Sequence, residues 1–236
     1  MHYRIRKAIQ RGMADLGWLK SAHSFSFAHY RDPQWMQFGP LRVINEDRVA
    51  PGQGFDTHGH RDMEIISYVL DGALAHRDSM GNGSVIKPGD VQRMSAGTGV
   101  QHSEFNHQQN DWTHFLQIWI IPDAIGHPPS YEQRHFDPAH RQGRLALIIS
   151  PDGADQSLRI HQNASVYAGL FDANEQAELS LDSNRGVWVQ VARGRLYAND
   201  HLLDTGDGIA MKDISILKLD RAEQAEVLVF DLPLDV

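Results

Sequence analysis

Apolar positions along this chain gather in short runs rather than recurring at helical spacing. Leu41-Arg42-Val43-Ile44, Glu64 to Leu70, Leu116 to Ile121, Leu145 to Ile149, Val187 to Val191, Ile214 to Leu219 and Glu226 to Phe230 are rich in β-branched or aromatic residues. Such residues suit a pleated, half-buried surface, so each run predicts a strand. Glycine turns punctuate them at Asp71-Gly72, Met80-Gly81-Asn82-Gly83, Pro88-Gly89-Asp90, Arg193-Gly194 and Gly206-Asp207-Gly208. No long stretch carries the apolar stripe of an amphipathic helix. The pattern predicts an all-β protein built as a sandwich or barrel.

The runs also repeat. Ile65-Ile66-Ser67-Tyr68-Val69-Leu70-Asp71-Gly72 matches Val187-Trp188-Val189-Gln190-Val191-Ala192-Arg193-Gly194 at an offset of 122, and Asp78 falls on Asp200 at the same offset. Past a shorter hairpin, Gly89-Asp90 with Met94 falls on Gly206-Asp207 with Met211 at an offset of 117. Two tandem barrels of one strand plan are expected, at residues 1–125 and 144–236. An irregular, proline-bearing linker at 126–143 joins them.

Against this background two pairs of polar residues stand at i, i+2: His58-Gly59-His60 and His102-Ser103-Glu104. Alternate side chains leave the same face of a strand, with Cα atoms about 6.6 Å apart. Each pair can therefore converge on one ion, and two neighbouring strands can supply three imidazoles and a carboxylate. That set suits Fe, Ni, Cu, Mn or Zn and suits Mg or Ca poorly. At the repeat offsets His58 and His60 fall on Ser180 and Asp182, and His102 and Glu104 on Leu219 and Arg221. A ligand set kept in one copy only points to chemistry in the N-terminal half, not to a demand of the fold. Among the other histidines, His2, His127, His135, His140 and His201 are read as exposed, and His23 and His29 as pocket-lining or packed.

Composition narrows the class. The chain has 236 residues, 41% of them hydrophobic and 22% charged, enough apolar material for a sizeable core. A net charge of −8 and the lack of any basic run argue against a nucleic-acid partner. The densest positive stretch, Tyr3-Arg4-Ile5-Arg6-Lys7, reads as a solvated edge strand. With no cysteine, disulfides, thiolate ligands and cysteine nucleophiles are excluded. Met1-His2-Tyr3-Arg4 does not open an apolar signal segment, and no 18-residue apolar run follows. A cytoplasmic monomer without a membrane partner is expected.

Two longer stretches carry a family likeness. Gly52-Gln53-Gly54-Phe55-Asp56-Thr57-His58-Gly59-His60-Arg61-Asp62-Met63-Glu64, closing at Gly72, resembles the first cupin motif. Pro88-Gly89-Asp90, then Met94-Ser95-Ala96-Gly97-Thr98-Gly99-Val100-Gln101-His102-Ser103-Glu104, resembles the second motif in the form used by the pirin family. Gly17-Trp18-Leu19, Ser24-Phe25-Ser26-Phe27, Leu41-Arg42-Val43-Ile44-Asn45 and Phe230-Asp231-Leu232-Pro233 extend the likeness over nearly the whole chain. It looks most like the bacterial pirin-like proteins described as quercetin 2,3-dioxygenases.

The resemblance implies a bicupin, with one divalent transition metal in the N-terminal barrel alone. Iron is expected first, with Cu, Ni, Mn, Co or Zn as alternatives. Most cupins draw the carboxylate ligand from the first motif, here Glu64, whereas the pirin form draws it from the second. The implied ligands are thus His58, His60, His102 and Glu104, and Glu64 is left beside the site as a second catalytic carboxylate or a buried structural one. The implied reaction is cleavage of the heterocyclic ring of a flavonol such as quercetin by O2, releasing carbon monoxide and a depside. Glu104 or Glu64 takes the hydroxyl proton. The family also implies an alternative, a non-enzymatic, iron-dependent redox sensor that binds a partner protein; a zinc isomerase or epimerase of the cupin kind is a third reading. Phe25, Phe27, Phe55, Met63 and Phe105 are candidate pocket walls. Asp56, Gln117 and His114 are candidates for orienting the imidazoles, and Gly97 and Gly99 for the turn that aims His102.

Overall fold

A computed structural model describes residues 2–234; Met1, Asp235 and Val236, at the outer limits of the two expected halves, lie outside the described residues. The N-terminal half contributes β1 (His2–Arg6), β2 (Gly12–Asp15), β3 (Leu19–His23), β4 (Leu41–Val49), β5 (Gly54–His60), β6 (Glu64–Asp71), β7 (Leu74–Asp78), β8 (Gly83–Ile86), β9 (Asp90–Ser95), β10 (Val100–Asn106) and β11 (Thr113–Ile120). After β12 (Ser130–His135) and a single helical turn, α1 (Pro138–Arg141), come β13 (Ala146–Ser150), β14 (Leu158–Arg159), β15 (Ser165–Ala173) and β16 (Ala177–Ser180). β17 (Arg185–Ala198), β18 (His201–Asp204), β19 (Gly208–Lys212) and β20 (Ile216–Pro233) complete the chain. Among the described residues, no helix is long and apolar enough to cross a membrane.

Two sheets form the N-terminal half, a seven-stranded one in the order β12-β9-β6-β11-β4-β3-β2 and a four-stranded one in the order β5-β10-β7-β8. The C-terminal half is one nine-stranded hydrogen-bonded system, β1-β19-β17-β20-β15-β13-β14, with β16 and β18 attached to β20 and β17. Neither half closes into a barrel.

The internal repeat is visible in the register. Ile65 pairs with Met94 and Ser67 with Gln92; at the same places Val187 pairs with Met211 and Val189 with Ile209. Likewise Gln117 faces Ser67 and Val229 faces Val189. The runs around β6 and β17 are nearly continuous in apolar residues because these strands are covered on both faces. Ile65 and Val69 turn inward, while Ile66, Tyr68 and Leu70 join Trp188, Leu228 and Phe230 in a core shared by the two halves. Trp188 is fully buried there, its ring 4.8 Å from Phe25 and 5.9 Å from Trp35.

Several expectations need correction. β1 leaves its own half and pairs with β19, as an edge strand of the C-terminal sheet. The segment read as an irregular linker contains β12, a polar edge strand on β9, and α1, capped by the Asp137 carboxylate accepting from Ala139 N at 2.7 Å. The predicted strands 214–219 and 226–230 are one bent strand, β20. Arg221 and Gln224 take left-handed backbone angles (φ 51° and 48°) and the register with β17 shifts, so the chain turns a corner without leaving the sheet.

Candidate metal centre

β5 and β10 pair antiparallel, with His58 opposite His102 and His60 opposite Val100. On β10 the burial alternates, placing Val100, His102, Glu104 and Asn106 inward and Ser103 outward. The register slips between His102 and Glu104, so the carboxylate follows the imidazole onto the inner face at a shifted height. The turn before β10 depends on Gly97: its φ is +45°, and a Cβ there would meet the His127 carbonyl oxygen at 1.9 Å.

The three imidazoles meet at their Nε2 atoms, His102 Nε2 lying 3.0 Å from both His60 Nε2 and His58 Nε2. His58 Nδ1 donates to the Asp56 carbonyl at 2.7 Å, which leaves its Nε2 as a bare lone pair. Burial, and then the neighbouring histidines, lower His60 to about 4 and His102 to about 2, so both are neutral at pH 7. Neutral imidazole is the form a metal binds. With metal–nitrogen bonds of about 2.1 Å, ligand atoms at right angles stand about 3.0 Å apart, against roughly 3.4 Å for a tetrahedron. The three Nε2 atoms stand close enough to share one ion, and the donor set is a borderline one.

Glu104 is 2% exposed and is held at both oxygens. Ser67 Oγ lies 3.0 Å from its Oε1, and Gln117 Nε2 donates to its Oε2 at 2.6 Å. Burial pushes this carboxyl up to about 7 despite those bonds. Its nearest metal-ligating companions are His102 and His76, with ligand atoms within 4.8 Å of one another; His58, His60 and His102 form a second such group. Glu104, His58 and His60 all line one cavity of about 240 Å³.

Glu64 lies elsewhere. It is 1% exposed, accepts from Ser95 Oγ at 2.7 Å, and belongs to neither group of ligating residues. Along the chain it shares parity with His58 and His60. However, β5 and β6 lie in different sheets, and the turn between them, with Asp62 at φ 48°, breaks that parity. Glu64 is thus a buried carboxylate held by Ser95, apart from both groups of ligating residues.

Further polar residues complete the site; Asn45, Ser67, Gln92 and His76 are not among the sequence candidates, whereas His23 and Gln117 are. His23, Asn45, Gln117, Ser67 and Gln92 stand in one cross-strand row over β3, β4, β11, β6 and β9. His76 is buried opposite Glu104, with Nε2 3.3 Å from Asp78. A signal existed for His76, since His76-x-Asp78 has the same period of two as the chosen pairs. Asn45-x-Asp47 likewise interrupts the inward face of an apolar strand.

The candidate walls divide. Phe27 and Phe55 line the cavity, as do His23 and His29, and Trp119 joins them unforeseen. Phe25 packs in the shared core, Met63 beside Ile65 and Met94, and Phe105 against Gly54. Of the candidate orienting groups, Gln117 holds Glu104 and Asp56 serves by its backbone, while His114 bonds Glu46 at 2.9 Å, away from the cluster. A larger cavity of about 420 Å³, between Arg4, Trp35, Phe38 and Lys212, contains none of the three histidines.

The repeat offsets also shift. Ala177 faces Leu219 and Leu179 faces Leu217, as His58 faces His102 and His60 faces Val100. The counterparts of His58 and His60 are therefore Ala177 and Leu179, not Ser180 and Asp182, because the connection to the next strand is three residues longer in the C-terminal half. Arg221, at the offset of Glu104, is exposed and bonds Asp200 and Asp220.

Comparison with known proteins follows the two halves. Residues 3–120 match the pirin family, and residues 147–232 match the family described as the quercetinase C-terminal cupin domain. A protein named quercetin 2,3-dioxygenase from Escherichia coli K12 is 46% identical over 229 residues, 97% of this chain and 98% of its own. A pirin-like protein of Caulobacter vibrioides is 40% identical over 222 residues, 93% and 95% of the two chains. The crystal structure of the bacterial pirin YhhW from E. coli in complex with nickel(II) superposes with a TM-score of 0.94 at 45% identity, covering 98% of this chain and 99% of that one. The architecture is thus two tandem cupin domains whose sheets do not close into barrels.

Proposed function

The chain belongs to the pirin family of cupin proteins, and on that premise we propose that it is a metal-dependent dioxygenase acting on flavonols. It cleaves the heterocyclic ring of substrates such as quercetin with O2, releasing carbon monoxide and a depside. The observation that carries this reading is the convergence of three Nε2 atoms beside a firmly held carboxylate at an apolar cavity. His58, His60, His102 and Glu104 are assigned as ligands of one divalent transition metal, iron first, with Cu, Ni, Mn, Co or Zn as alternatives. When bound, such an ion would supply Lewis-acid chemistry toward a phenol oxygen and, with a redox-active metal such as iron, one-electron chemistry toward O2.

The chain's own residues bind, orient and handle the proton. Leu19, Phe27, Phe55 and Trp119 offer apolar faces to a flat ring and keep water from it. At about 240 Å³ the cavity is small beside the usual range of roughly 300–1,000 Å³, so one ring system enters and the remainder projects through the mouth. Glu104 is also assigned as the group that takes the phenolic proton, and Ser67 and Gln117 fix its direction. A cytoplasmic monomer working on a small aromatic substrate, with no nucleic acid or membrane partner, fits the net charge of −8.

Iron-loaded protein mixed with quercetin in air should consume O2 and release carbon monoxide in equal amounts, and His60→Ala should do neither. Absence of O2 uptake and carbon monoxide with iron and with each alternative metal overturns the reading.

A further inference from the structure

The histidines come from the four-stranded sheet, but a second polar group faces the same cavity from the other sheet. Ser21 and His23 on β3, with Asn45 and Asp47 on β4, all line it. Asp47 is 4% exposed and accepts one side-chain hydrogen bond, from Ser21 Oγ; among the described residues its second oxygen has no partner. His23 Nδ1 lies 2.8 Å from Asn45 Oδ1, and its other ring nitrogen makes no hydrogen bond to a described residue. No Lys or Arg among the described residues lines the cavity.

A carboxyl buried with a single hydroxyl partner and no cation is costly to keep, and such groups concentrate where a ligand completes them. Burial pushes Asp47 up to about 7, in keeping with that setting. The free positions, the second Asp47 oxygen and His23 Nε2, are hydrogen-bond acceptors, since His23 Nδ1 donates to Asn45 Oδ1, and a hydroxyl group answers them by giving a hydrogen bond. A carboxylate or phosphate at this point would instead meet Asp47 with no Lys or Arg to offset it.

We propose that Ser21, His23 and Asp47 form a recognition point for a second hydroxyl of the substrate, distinct from the one at the metal end, so that the pocket selects polyhydroxylated aromatic ligands. The identity of the ligand rests on the dioxygenase reading, while the recognition point rests on the cavity itself.

Quercetin and 3-hydroxyflavone, which lacks every hydroxyl except the one nearest the carbonyl, separate the two ideas. KM is measured aerobically with the iron-loaded enzyme, and Kd by calorimetry without O2 on zinc-loaded protein. The wild type should favour quercetin by roughly tenfold or more in KM and Kd, the size expected for a hydrogen bond to a charged group. Asp47→Leu should erase that preference while leaving Kd for 3-hydroxyflavone within about twofold. If Asp47→Leu does not fold, the wild-type preference still decides. Turnover of both flavonols with equal KM and Kd overturns the recognition point and leaves the dioxygenase reading standing. Binding that favours quercetin without turnover of either overturns the dioxygenase reading and supports the recognition point. Binding of neither flavonol overturns both.

Discussion

Where Ser67 stands between Gln92 and Gln117 in the N-terminal half, Val189 stands between Ile209 and Val229 in the C-terminal half. The backbones and registers agree, but the chemistry of the row is opposite. In the C-terminal half, Val187, Val189, Val191, Leu217, Leu219 and Val229 form one continuous apolar core. In the N-terminal half the same layer is polar and splits the interior in two. Ile65 and Met94 lie on one side of it, and Val69, Leu74 and Phe115 on the other. The strand plan is satisfied by apolar residues alone, so the fold does not require the polar layer. Such a layer persists against the cost of burying it, about 1–3 kcal/mol for each unpartnered group. The C-terminal domain thus serves as an internal control for what the N-terminal site adds.

The largest way to break this comparison is to remove a ligand. His60→Ala should abolish metal retention through dialysis, read by elemental analysis, while unfolding remains cooperative. The rise in Tm that metal gives the wild type should vanish with it, since only binding to the native state produces that rise. Exchanging the polar layer comes next. Val229→Gln places an amide among Val189, Ile209 and Tyr167 and should cost about 2–4 kcal/mol in denaturant unfolding. The reciprocal Gln117→Val should cost the metal-free protein about 1–3 kcal/mol and lower metal affinity by about 10- to 100-fold, because Glu104 loses the donor that directs it.

Acidity sharpens the contrast further. A carboxyl raised to about 7 is protonated in the metal-free protein below that pH, so a metal must displace its proton. His60 and His102, lowered to about 4 and about 2, are already neutral above pH 5 and release none there. Between pH 5 and 7, metal affinity should therefore rise with pH by up to about tenfold per unit from Glu104, and Glu104→Gln should remove that component. For metal-free stability the signs oppose each other. The raised carboxyls Glu104 and Asp47 favour the fold at low pH and lose that contribution as pH climbs from about 4 through 7. The lowered histidines stabilise the fold above about 6.5, relative to lower pH, and lose that contribution as pH falls through about 4 and then about 2. The smallest effect belongs to His201→Ala in the other half, which should leave metal content unchanged and cost about 1 kcal/mol for the lost ring contact with Tyr3.

What the sequence revealed is local and periodic. His58, His60, His102 and Glu104 could be picked out because a strand's period of two puts each pair on one face, and the repeat showed which half kept them. Ser67 is a single polar residue in an apolar strand, and the pairs His76-x-Asp78 and Asn45-x-Asp47 show their period of two but join the site only through cross-strand register, which no single strand displays. The parity that Glu64 shares with His58 and His60 carries no information for the related reason that parity holds along one strand and fails across a turn into another sheet. The corner in β20 and the transfer of β1 to the distant sheet are tertiary choices, settled by pairing partners more than two hundred residues away in the case of β1.

Anomalous diffraction from crystals of the metal-loaded protein, recorded at the absorption edge of the metal, tests the central claim most directly. One strong peak is predicted within about 2.0–2.3 Å of Nε2 of His58, His60 and His102 and of a carboxylate oxygen of Glu104, with none in the C-terminal domain. A peak held by other residues, or one from which Glu104 stands apart, contradicts the assignment.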